Sequence, residues 1–550
     1  MTKKKSFLFL ILTVLFLYSA HAQKEVVGLP YSFTHNDISM AVDRVDFPAY
    51  DVNELLAEDD QNMKEGSPMR VGAVRHVSYN FNNSGRTDIL PDGSRLWRLT
   101  LHSPEARAMA VFFSTFNIPE GATMYVYSSD RKHLTGTYTA EDIEPNGVMA
   151  SEFIEGDELT IEYHEPADVH YHGVIEIDRV SHIYRNVWFA GDPGKGSVDD
   201  AEDCHYHAVC PEGAAWHDQI NSVVRITITG NTGTYFCSGA LINNVRMDKT
   251  PYVYSANHCL DGDGSSFRFD FFYQYLNCNG TGVSPVKFIT GGEIKAFISY
   301  NSNTGINNSS DFLLLRITKD LSSKPWSDSL YFAGWDATGT SSVGLAIHHP
   351  AGARKRFSFP RQVFNYGTKY WGVNWYTNPN RGCTEQGSSG SPLFNANKLI
   401  IGDLSTGESA CNYPAGSDYY GKLSYAWTNN NNSNNSKKLQ PWLDPDNTGV
   451  RTLPGMNFHG VVGVQDYSSH IEYFNVNPNP STGNVTVKGS FKETVGRCNV
   501  YNAMGMLVSS KDIALSPTFN LNLGHLTNGI YFVEINDGCQ LYRSKVVIAK

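Results

Sequence analysis

Three short stretches of this sequence contain side chains that could act together in one reaction. Ser389 lies in CTEQGSSGSPLF, His258 lies in VYSANHCL, and Asp311 lies in NSSDFLLLRI. Catalysis by a serine nucleophile needs a base within hydrogen-bonding distance, a carboxylate that orients the base, and donors for the developing oxyanion. The three stretches offer one candidate each for the nucleophile, the base and the carboxylate.

Each candidate also has an ordinary structural explanation. By composition GSSGS is typical of a flexible linker, a lone histidine is most often a half-buried structural residue, and an aspartate before an apolar strand often caps a turn. The three candidates follow one another in the order His, Asp, Ser, separated by 53 and 78 residues. Catalytic triads are recognised by such a combination of residue types, and the joint pattern favours a triad.

The elements that must position these residues are predicted to be β-strands. Short runs such as SVVRITIT, FCSGALIN, FRFDFFYQY and FLLLRIT alternate with turns rich in glycine, proline and asparagine. A chain of 550 residues is long enough for several domains. We therefore expect an all-β protein with more than one domain.

The N-terminus has the features of a targeting segment. Three lysines precede the apolar run FLFLILTVLFLY, and Ala-His-Ala follows it. This pattern predicts a signal peptide over residues 1–22, with cleavage after Ala22. The apolar run is too short to span a membrane comfortably, so we expect an exported protein without a transmembrane anchor.

Three further regions follow the signal peptide. Residues 23–195 form a β-rich region without cysteine, and its first part, through Lys64, is polar and irregular by pattern. Lys195 lies in a Gly/Asp-rich segment that is typical of an exposed linker. Residues 196–460 hold the three candidate residues, and residues 467–550 show strand and turn patterns typical of a small β-sandwich.

Composition limits the partners and cofactors. A net charge of -11 argues against nucleic acid as a main partner. Nine cysteines in an exported protein indicate disulfides with one cysteine left over, and spacing alone does not give the pairing. The histidine pairs His348 with His349 and His205 with His207 lack other ligands at metal spacing, so we expect no metal and no cofactor.

The segment from Cys204 to Pro445 resembles the lysyl endopeptidase group of chymotrypsin-fold serine proteases. The matching stretches are VCPEG, CSGALINN, SANHC, SDFLLLRI, FAGWD, AIHHP, TEQGSSGSP, SDYYGKL and WLDP. The resemblance implies two β-barrels with the active site between them. It also implies that Ser389 is the nucleophile, His258 the general base and Asp311 the carboxylate that orients it.

The resemblance further implies an oxyanion hole formed by the main-chain N–H groups of Gly387 and Ser389. Glycine suits a main chain that must turn its N–H toward a substrate. One departure concerns Ser388, because trypsin-like proteases carry there an aspartate that captures a new N-terminal ammonium. Serine cannot form that ion pair, so we hypothesise that residues 23–195 are a propeptide that assists folding and then leaves. Cleavage at Lys195 by the enzyme itself and cleavage by another protease are the two alternatives for its release.

Substrate specificity requires a group at the base of the S1 pocket. The position six residues before the nucleophile, which holds a carboxylate in trypsin, is Cys383 here. The resemblance instead assigns Asp418, in SDYYGKL, to the pocket and places Glu385 in its wall, whereas a solvated turn is the alternative for Asp418. A desolvated lysine ammonium needs a carboxylate, so we expect lysine at P1, with arginine as an alternative.

A second departure is Ser405, because close lysyl endopeptidases carry a histidine at this position. Ser405 could hydrogen-bond Asp311, as in chymotrypsin-type enzymes generally, and Gly407 follows on the strand that pairs with the substrate. Cys383 is expected to be the odd thiol, buried and unreactive. The resemblance implies three disulfides and leaves two cysteines to pair in the third region: Cys237–Cys259, Cys204–Cys411, Cys210–Cys278, and Cys498–Cys539.

The third region resembles the C-terminal sorting domain of type IX secretion cargo through NPNPSTG, VYNAMGMLV, LTNGIYFVEI and KVVIAK. This implies that the secretion machinery is a partner and that the product is secreted or held on the bacterial cell surface. The alternative for this region is an adhesion module. We expect a monomeric serine endopeptidase acting on proteins or peptides, and the alternatives are broader P1 specificity or a weakly active, protease-like adhesin.

Overall fold

The computed structural model describes most of the chain. It covers residues 28–35, 38, 42–64, 67–185, 201–282, 284, 287–298, 310–379, 381–429, 432–458, 474–489, 491, 494–502, 507–536 and 541–550. The predicted signal peptide and Lys195 lie outside the described residues. The chain forms two compact units, one ending at Phe458 and one beginning at His459. Strands dominate both units, which confirms the predicted all-β class.

The N-terminal region of the first unit is built on two sheets. Trp97 on one sheet and Phe113 on the other are buried in the same apolar core, so the two sheets pack face to face. Six strands form the first of these sheets: Asp43–Asp46, Arg86–Ile89, Arg95–His102, Thr123–Ser128, Leu134–Tyr138 and Glu158–Glu165.

The polar start of this region contains helix that the sequence pattern did not predict. Helices span Tyr31–Thr34 and Val52–Lys64. The Asp51 carboxylate accepts the main-chain N–H groups of Asn53 and Glu54, at 2.9 and 3.2 Å, and thereby caps the second helix. The expectation of irregular structure through Lys64 is therefore wrong over this helix.

A large sheet of twelve strands joins the N-terminal region to the region that contains His258. Strand Met69–Asn80 pairs antiparallel with strand Gly233–Ile242, and Ala73 lies opposite Gly233. The other strands from the N-terminal region are Ala108–Asn117, Met149–Ala150, Ile154–Glu155 and Val174–Ile183. The other strands that follow residue 201 are Val223–Thr229, Tyr252–Ala256, Arg268–Phe271, Lys287–Thr290, Gly292–Phe297 and Phe312–Ile317.

A second sheet, of ten strands, carries the segment that contains Ser389. Side chains from both sheets, among them Tyr254 and Ile347, share one buried core, which places the two sheets side by side. The ten strands are Tyr206–His207, Trp335–Asp336, Leu345–His348, Arg356–Ser358, Pro360–Tyr366, Tyr370–Trp375, Pro392–Phe394, Ile400–Gly407, Ser417–Lys422 and Thr452–Leu453. The short helices and the remaining strand pair of this region are His217–Ser222, Leu423–Thr428 and Gln440–Leu443, and Tyr331–Phe332 with Met456–Asn457.

The second unit consists of two sheets around its own apolar core, which includes Val487, Val500 and Tyr542. The three-stranded sheet contains Phe474–Asn477, Asn484–Gly489 and Thr518–Asn522. The four-stranded sheet contains Val495–Asn502, Leu507–Ala514, Gly529–Asn536 and Leu541–Ile548.

Candidate active site

Strand pairing brings His258 and Asp311 together. Strands Tyr252–Ala256 and Phe312–Ile317 run antiparallel, with Ala256 opposite Phe312, so the residues just beyond this pair are neighbours. The Nδ1 atom of His258 lies 2.6 Å from one carboxylate oxygen of Asp311, and the main-chain N–H of His258 donates to the other at 3.0 Å. Asp311 is fully buried, and its carboxylate fixes both the ring and the main chain of His258.

Ser405 completes the surroundings of the Asp311 carboxylate. Its hydroxyl donates to Asp311 at 2.6 Å, onto the same oxygen that faces the imidazole. The main chain of Asp311 has a φ of 54°, in the left-handed region, and its carbonyl accepts the N–H of Asn257 at 2.7 Å. A strained main-chain conformation thus turns the carboxylate inward. There the two N–H groups of His258 and the Ser405 hydroxyl donate to it and offset the free-energy cost of its burial.

The Ser389 loop is held against the strand that leads to His258. A Cβ atom at Gly390 would lie 2.1 Å from Ser255 Oγ and 2.7 Å from Ala256 N, so only glycine allows this approach. The N–H of Ser238 donates to the carbonyl of Ser389 at 2.8 Å. The structure therefore brings Ser389, which is partly exposed, to the end of the strand that leads to His258.

The main chain at Gly387 is held in a fixed orientation. Its φ is +82°, and a Cβ atom there would lie 2.5 Å from the N atom of Gly352. The N–H of Ala351 donates to the carbonyl of Gln386 at 2.6 Å, and Ser238 Oγ donates to the carbonyl of Gly387 at 2.9 Å. Because a trans peptide points its C=O and N–H in opposite directions, the Ala351 bond also fixes the direction of the Gly387 N–H.

Asp418 is fully buried among the segments predicted to form the specificity pocket. Trp375 Nε1, Thr384 Oγ1 and Ser409 Oγ donate to one carboxylate oxygen at 2.7, 2.6 and 2.5 Å, and Ser409 N donates to the other at 3.1 Å. Burial outweighs these bonds and raises the pKa of Asp418 above its ordinary value. The alternative of a solvated turn residue is excluded by this burial.

Gly407 lies directly against the Asp418 carboxylate. A Cβ atom at Gly407 would lie 1.9 Å from Asp418 Oδ1, so a side chain at this position would displace the carboxylate. Strand pairing places the two residues opposite each other. Glu385 is differently engaged, because its carboxylate lies 2.5 Å from His205 Nε2 and accepts the N–H of Glu202 at 3.1 Å.

Three disulfides surround the site, and they are the pairs that the resemblance implies. Cys237–Cys259 tethers the residue next to His258, and the other two are Cys204–Cys411 and Cys210–Cys278. Cys383 is a buried free thiol 3.8 Å from Cys204 Sγ, and burial raises its pKa. Cys498 is buried, but Cys539 lies outside the described residues, so their pairing stays a prediction.

The N-terminal region borders the site in the full-length chain. A cavity of about 390 Å³ is lined on one side by His258, Tyr235 and Gln386. On the other side it is lined by residues of the N-terminal region, including Arg70 and Asp59. The buried Asp59 carboxylate pairs with Arg70 at 2.6 Å, which holds this edge of the N-terminal region together.

The residues that surround Ser388 are not identifiable from the sequence motifs. His348, considered only as a weak metal candidate, lies with its Nδ1 atom 2.7 Å from Ser388 Oγ. His349 belongs to the same HHP stretch, and its main-chain N–H donates to Ser238 Oγ at 2.9 Å. The signal in the sequence was the adjacent histidine pair, but only the fold shows that it faces the serine loop.

Among the described residues, one cluster of possible metal ligands contains a histidine of the two pairs considered above, His205, together with Cys204, Cys383 and Cys411. Cys204 and Cys411 are joined in a disulfide, which leaves only the Cys383 thiol and the His205 ring of the four ligands that a structural zinc site would require. The arrangement therefore does not fit a metal centre in the oxidised protein.

A histidine held by a buried carboxylate, close to a serine on a glycine-rich loop between two β-sheets, defines a serine endopeptidase of the chymotrypsin-like class. Models of the lysyl endopeptidase N-terminal domain and C-terminal domain match residues 46–184 and 198–421. A lysyl endopeptidase from Pseudomonas aeruginosa is 26% identical over 392 residues, which cover 66% of this chain and 80% of that protein. The chain belongs to the lysyl endopeptidase family.

Solved structures of serine proteases also match this chain, each over about two fifths of its length. The thermostable serine protease AL20 from an extremophilic microorganism is 15% identical, covers 37% of this chain and 92% of its own, and has a TM-score of 0.28. Neuropsin from mouse brain is 15% identical over 41% of this chain and 97% of its own, with a TM-score of 0.30. Protease Anisep from Arthrobacter nicotinovorans is 20% identical, covers 37% of this chain and 90% of its own, and has a TM-score of 0.28.

The model of a secretion system C-terminal sorting domain matches residues 475–549. The protein is therefore secreted or displayed on the cell surface, and its C-terminal unit interacts with the secretion machinery. None of the helices among the described residues is long and apolar enough to cross a membrane.

Proposed function

We propose that this endopeptidase cleaves peptide bonds after lysine through an acyl-enzyme intermediate. The observation that carries the specificity is the fully buried Asp418 carboxylate, which is held by donors from three neighbouring segments. The catalytic groups in this proposal are Ser389, His258 and Asp311, with the N–H groups of Gly387 and Ser389 as the oxyanion hole.

The hydrogen bonds of His258 support its role as the base. Because the Asp311 carboxylate can only accept, Nδ1 of His258 carries a proton, and Nε2 is the nitrogen that takes the proton of the nucleophile. Ser389 Oγ attacks the substrate carbonyl while its proton passes to Nε2, and the C–O bond of a tetrahedral intermediate forms. The imidazolium then protonates the leaving amine, and the C–N bond breaks to leave the acyl-enzyme.

Deacylation repeats these steps with water in place of the serine. His258 takes a proton from the water as its oxygen attacks the acyl carbon, and then returns a proton to Ser389 as the ester bond breaks. The negative charge of both intermediates falls on the former carbonyl oxygen. Donors that are fixed before the reaction, as at Gly387, stabilise that charge without reorganisation.

Lysine at P1 follows from the chemistry of a buried carboxylate. A lysine ammonium that loses water needs a compensating charge, and Asp418 already has four hydrogen bonds that fix its position. Burial raises the pKa of Asp418, and the positive charge of a lysine side chain beside it would lower that pKa again. The family relative from Pseudomonas aeruginosa, called a lysyl endopeptidase, supports the same specificity.

The N-terminal region fits the role of a propeptide. It shares a sheet with the protease region through strand Met69–Asn80, and it borders the cavity beside His258. Its departure would open this side of the site to substrate. We propose residues 23–195 as this propeptide, residues 196–460 as the protease domain and residues 467–550 as the sorting domain.

A peptide library that varies only P1 tests the proposal. We expect processed enzyme to cleave after lysine at least tenfold faster than after any uncharged residue, because burying an unpaired charge costs on the order of 3 kcal/mol. Equal cleavage after arginine would indicate the broader Lys/Arg specificity. No preference for a basic residue would reject the role of Asp418, and no cleavage at all would favour the protease-like adhesin.

A further inference from the structure

A buried group of polar side chains lies beneath the Ser388–Ser389 turn and has no part in the mechanism above. Ser388, His348 and Ser358 are fully buried, and His205 is nearly so. Glu385 is partly buried and closes the group on its outer side. These five residues come from four separate parts of the chain, and only Ser388 and Glu385 belong to the serine loop.

The contacts form a closed ring. Ser388 Oγ lies 2.7 Å from His348 Nδ1, and His348 Nε2 lies 3.0 Å from Ser358 Oγ. Ser358 Oγ lies 3.3 Å from His205 Nδ1, and His205 Nε2 lies 2.5 Å from the Glu385 carboxylate. The main-chain N–H of Glu385 returns to Ser388 Oγ at 3.3 Å.

The direction of each hydrogen bond follows from one fixed point. The Ser358 hydroxyl donates to the carbonyl of Cys383 at 2.8 Å, and a carbonyl can only accept. His348 Nε2 and His205 Nδ1 must therefore both donate to Ser358. Burial lowers the pKa of His348 well below its ordinary value, so its ring is neutral and Nδ1 is an acceptor for the Ser388 hydroxyl.

The rest of the ring is then determined. Ser388 Oγ donates to His348 and accepts the N–H of Glu385, so its hydrogen-bonding capacity is used in both directions. His205 donates through both ring nitrogens, to Ser358 and to the Glu385 carboxylate. A buried network with every member satisfied is rigid, whereas a partly satisfied one is costly.

We propose that this ring of Ser388, His348, Ser358, His205 and Glu385 positions the oxyanion loop, and that it replaces the ion pair that an aspartate and a new N-terminus make in trypsin-like proteases. Gly387 lies between Gln386, whose carbonyl is held by Ala351, and Ser388, whose side chain is held by His348. The five-residue ring thus fixes the loop after Gly387, while the main-chain N–H of Ala351 fixes it before Gly387. These are positioning residues, and their role rests on the proposed function.

Each of the two nitrogens of His348 makes one hydrogen bond of the five-residue ring, so a suitable substitution removes one bond and keeps the other. In His348→Asn the side-chain amide can replace Nδ1 and still face Ser388. In His348→Gln the amide reaches the place of Nε2 and leaves the Ser388 hydroxyl without its acceptor. Ser388→Ala removes the hydroxyl itself and serves if the histidine variants do not fold. Thr227→Val is the matched control, since the buried Thr227 hydroxyl has no partner among the described residues and lies outside the ring.

The test compares two inhibitors on processed enzyme. A peptide aldehyde with lysine at P1 forms an oxyanion with the nucleophile, whereas n-butylamine fills the S1 pocket and forms none. We expect His348→Gln and Ser388→Ala to lower kcat by about tenfold to a hundredfold and to raise the Ki of the aldehyde by a similar factor. The Ki of n-butylamine and KM should stay within about threefold of wild type, and His348→Asn should retain more of kcat than His348→Gln.

Two outcomes would overturn the ring. The first is an unchanged kcat in both His348→Gln and Ser388→Ala. The second is an equal increase in Ki for n-butylamine and for the aldehyde, which would indicate damage to the S1 pocket instead. Wild-type enzyme and Ser389→Ala are assayed beside them on a lysine substrate. If wild type is inactive there, or Ser389→Ala is active, the proposed function itself fails, which separates the two conclusions.

Discussion

The Asp311 carboxylate contacts His258 twice, with one oxygen 2.6 Å from Nδ1 and the other accepting the main-chain N–H at 3.0 Å. The first contact fixes the tautomer of the ring, and the second fixes the main chain that carries it. Ser405 adds a third donor at 2.6 Å. The orientation of the His258 ring is therefore set by three hydrogen bonds to one fully buried group.

Replacing Ser405 by alanine tests the value of that third donor. A hydrogen bond to a charged group contributes about 1.5–3 kcal/mol, and its loss leaves Asp311 less well fixed. We expect kcat of Ser405→Ala on a lysine peptide to fall by roughly tenfold with little change in KM. Steady-state kinetics at several substrate concentrations measure this, and an unchanged kcat would mean that the Ser405 bond does not contribute.

The variant Asp418→Asn keeps the size of the pocket and removes its charge. We expect kcat/KM for a lysine substrate to fall by about a hundredfold or more, since an unpaired buried ammonium costs roughly 3–5 kcal/mol. A matched substrate with norleucine at P1 has no charge and is the control. If both substrates lose activity equally, Asp418 has a structural role and the S1 carboxylate lies elsewhere.

The pH dependence of the same reaction has a definite sign. Burial raises the pKa of Asp418, so in the free enzyme the carboxylate is lost at a higher pH than usual as the solution is acidified. As the pH is lowered, we expect kcat/KM for the lysine substrate to fall at a higher pH than kcat/KM for the norleucine substrate. The ratio of the two pH profiles isolates this effect from any pH dependence that the two substrates share.

Self-processing is tested by the variant Ser389→Ala in the secreting organism. If the enzyme cleaves its own chain near Lys195, we expect this variant to accumulate with residues 23–195 still attached. Intact-mass and N-terminal analysis of secreted protein, beside wild type, measures the processing. Normal processing of the variant would show that another protease performs the cleavage.

Because Lys355 is buried, we expect the free energy of unfolding to rise with pH. Burial lowers its pKa to about 7, from an ordinary value near 10.5, and its Nζ donates to the carbonyl of Ile220 at 2.8 Å. Between these two values the unfolded chain binds a proton that the folded protein does not, so the free energy of unfolding increases as pH rises through this window. The full effect is roughly 3–5 kcal/mol.

Urea unfolding of Ser389→Ala at pH 6 and pH 9 measures this difference without self-digestion. Adding Lys355→Met should reduce the difference between the two pH values, because the titrating group is gone. Lys398→Met is the matched control, since Lys398 is exposed. A pH dependence that persists in Lys355→Met would assign it to other groups.

Sequence motifs predicted the part of the site in which chemistry restricts the residue type. The stretches around His258, Asp311 and Ser389 have few alternatives for serine nucleophile chemistry, and Asp418 is predicted through its family motif. The helix Val52–Lys64 was missed because its polar composition hides a narrow apolar stripe, in which Leu55 packs against Ala73 and Tyr184.

The ring beneath Ser388 could not be predicted from the sequence. Its members are far apart in the chain. His348 and Ser388 are separated by 40 residues, and His205 and Ser358 by 153 residues. Strand pairing brings them together, since Tyr206–His207 pairs with Arg356–Ser358, which pairs with Leu345–His348. A histidine or serine that hydrogen-bonds in this way is indistinguishable in sequence from one on the surface.

Labelling of the processed enzyme with a peptidyl diphenyl phosphonate that carries a lysine side chain at P1 tests the central claim most directly. We predict one adduct per molecule, located by peptide mass spectrometry on Ser389, with no adduct in Ser389→Ala and much slower labelling of Asp418→Asn. An adduct on another residue, or no adduct in folded and processed wild-type protein, would contradict the account of a lysine-directed serine nucleophile.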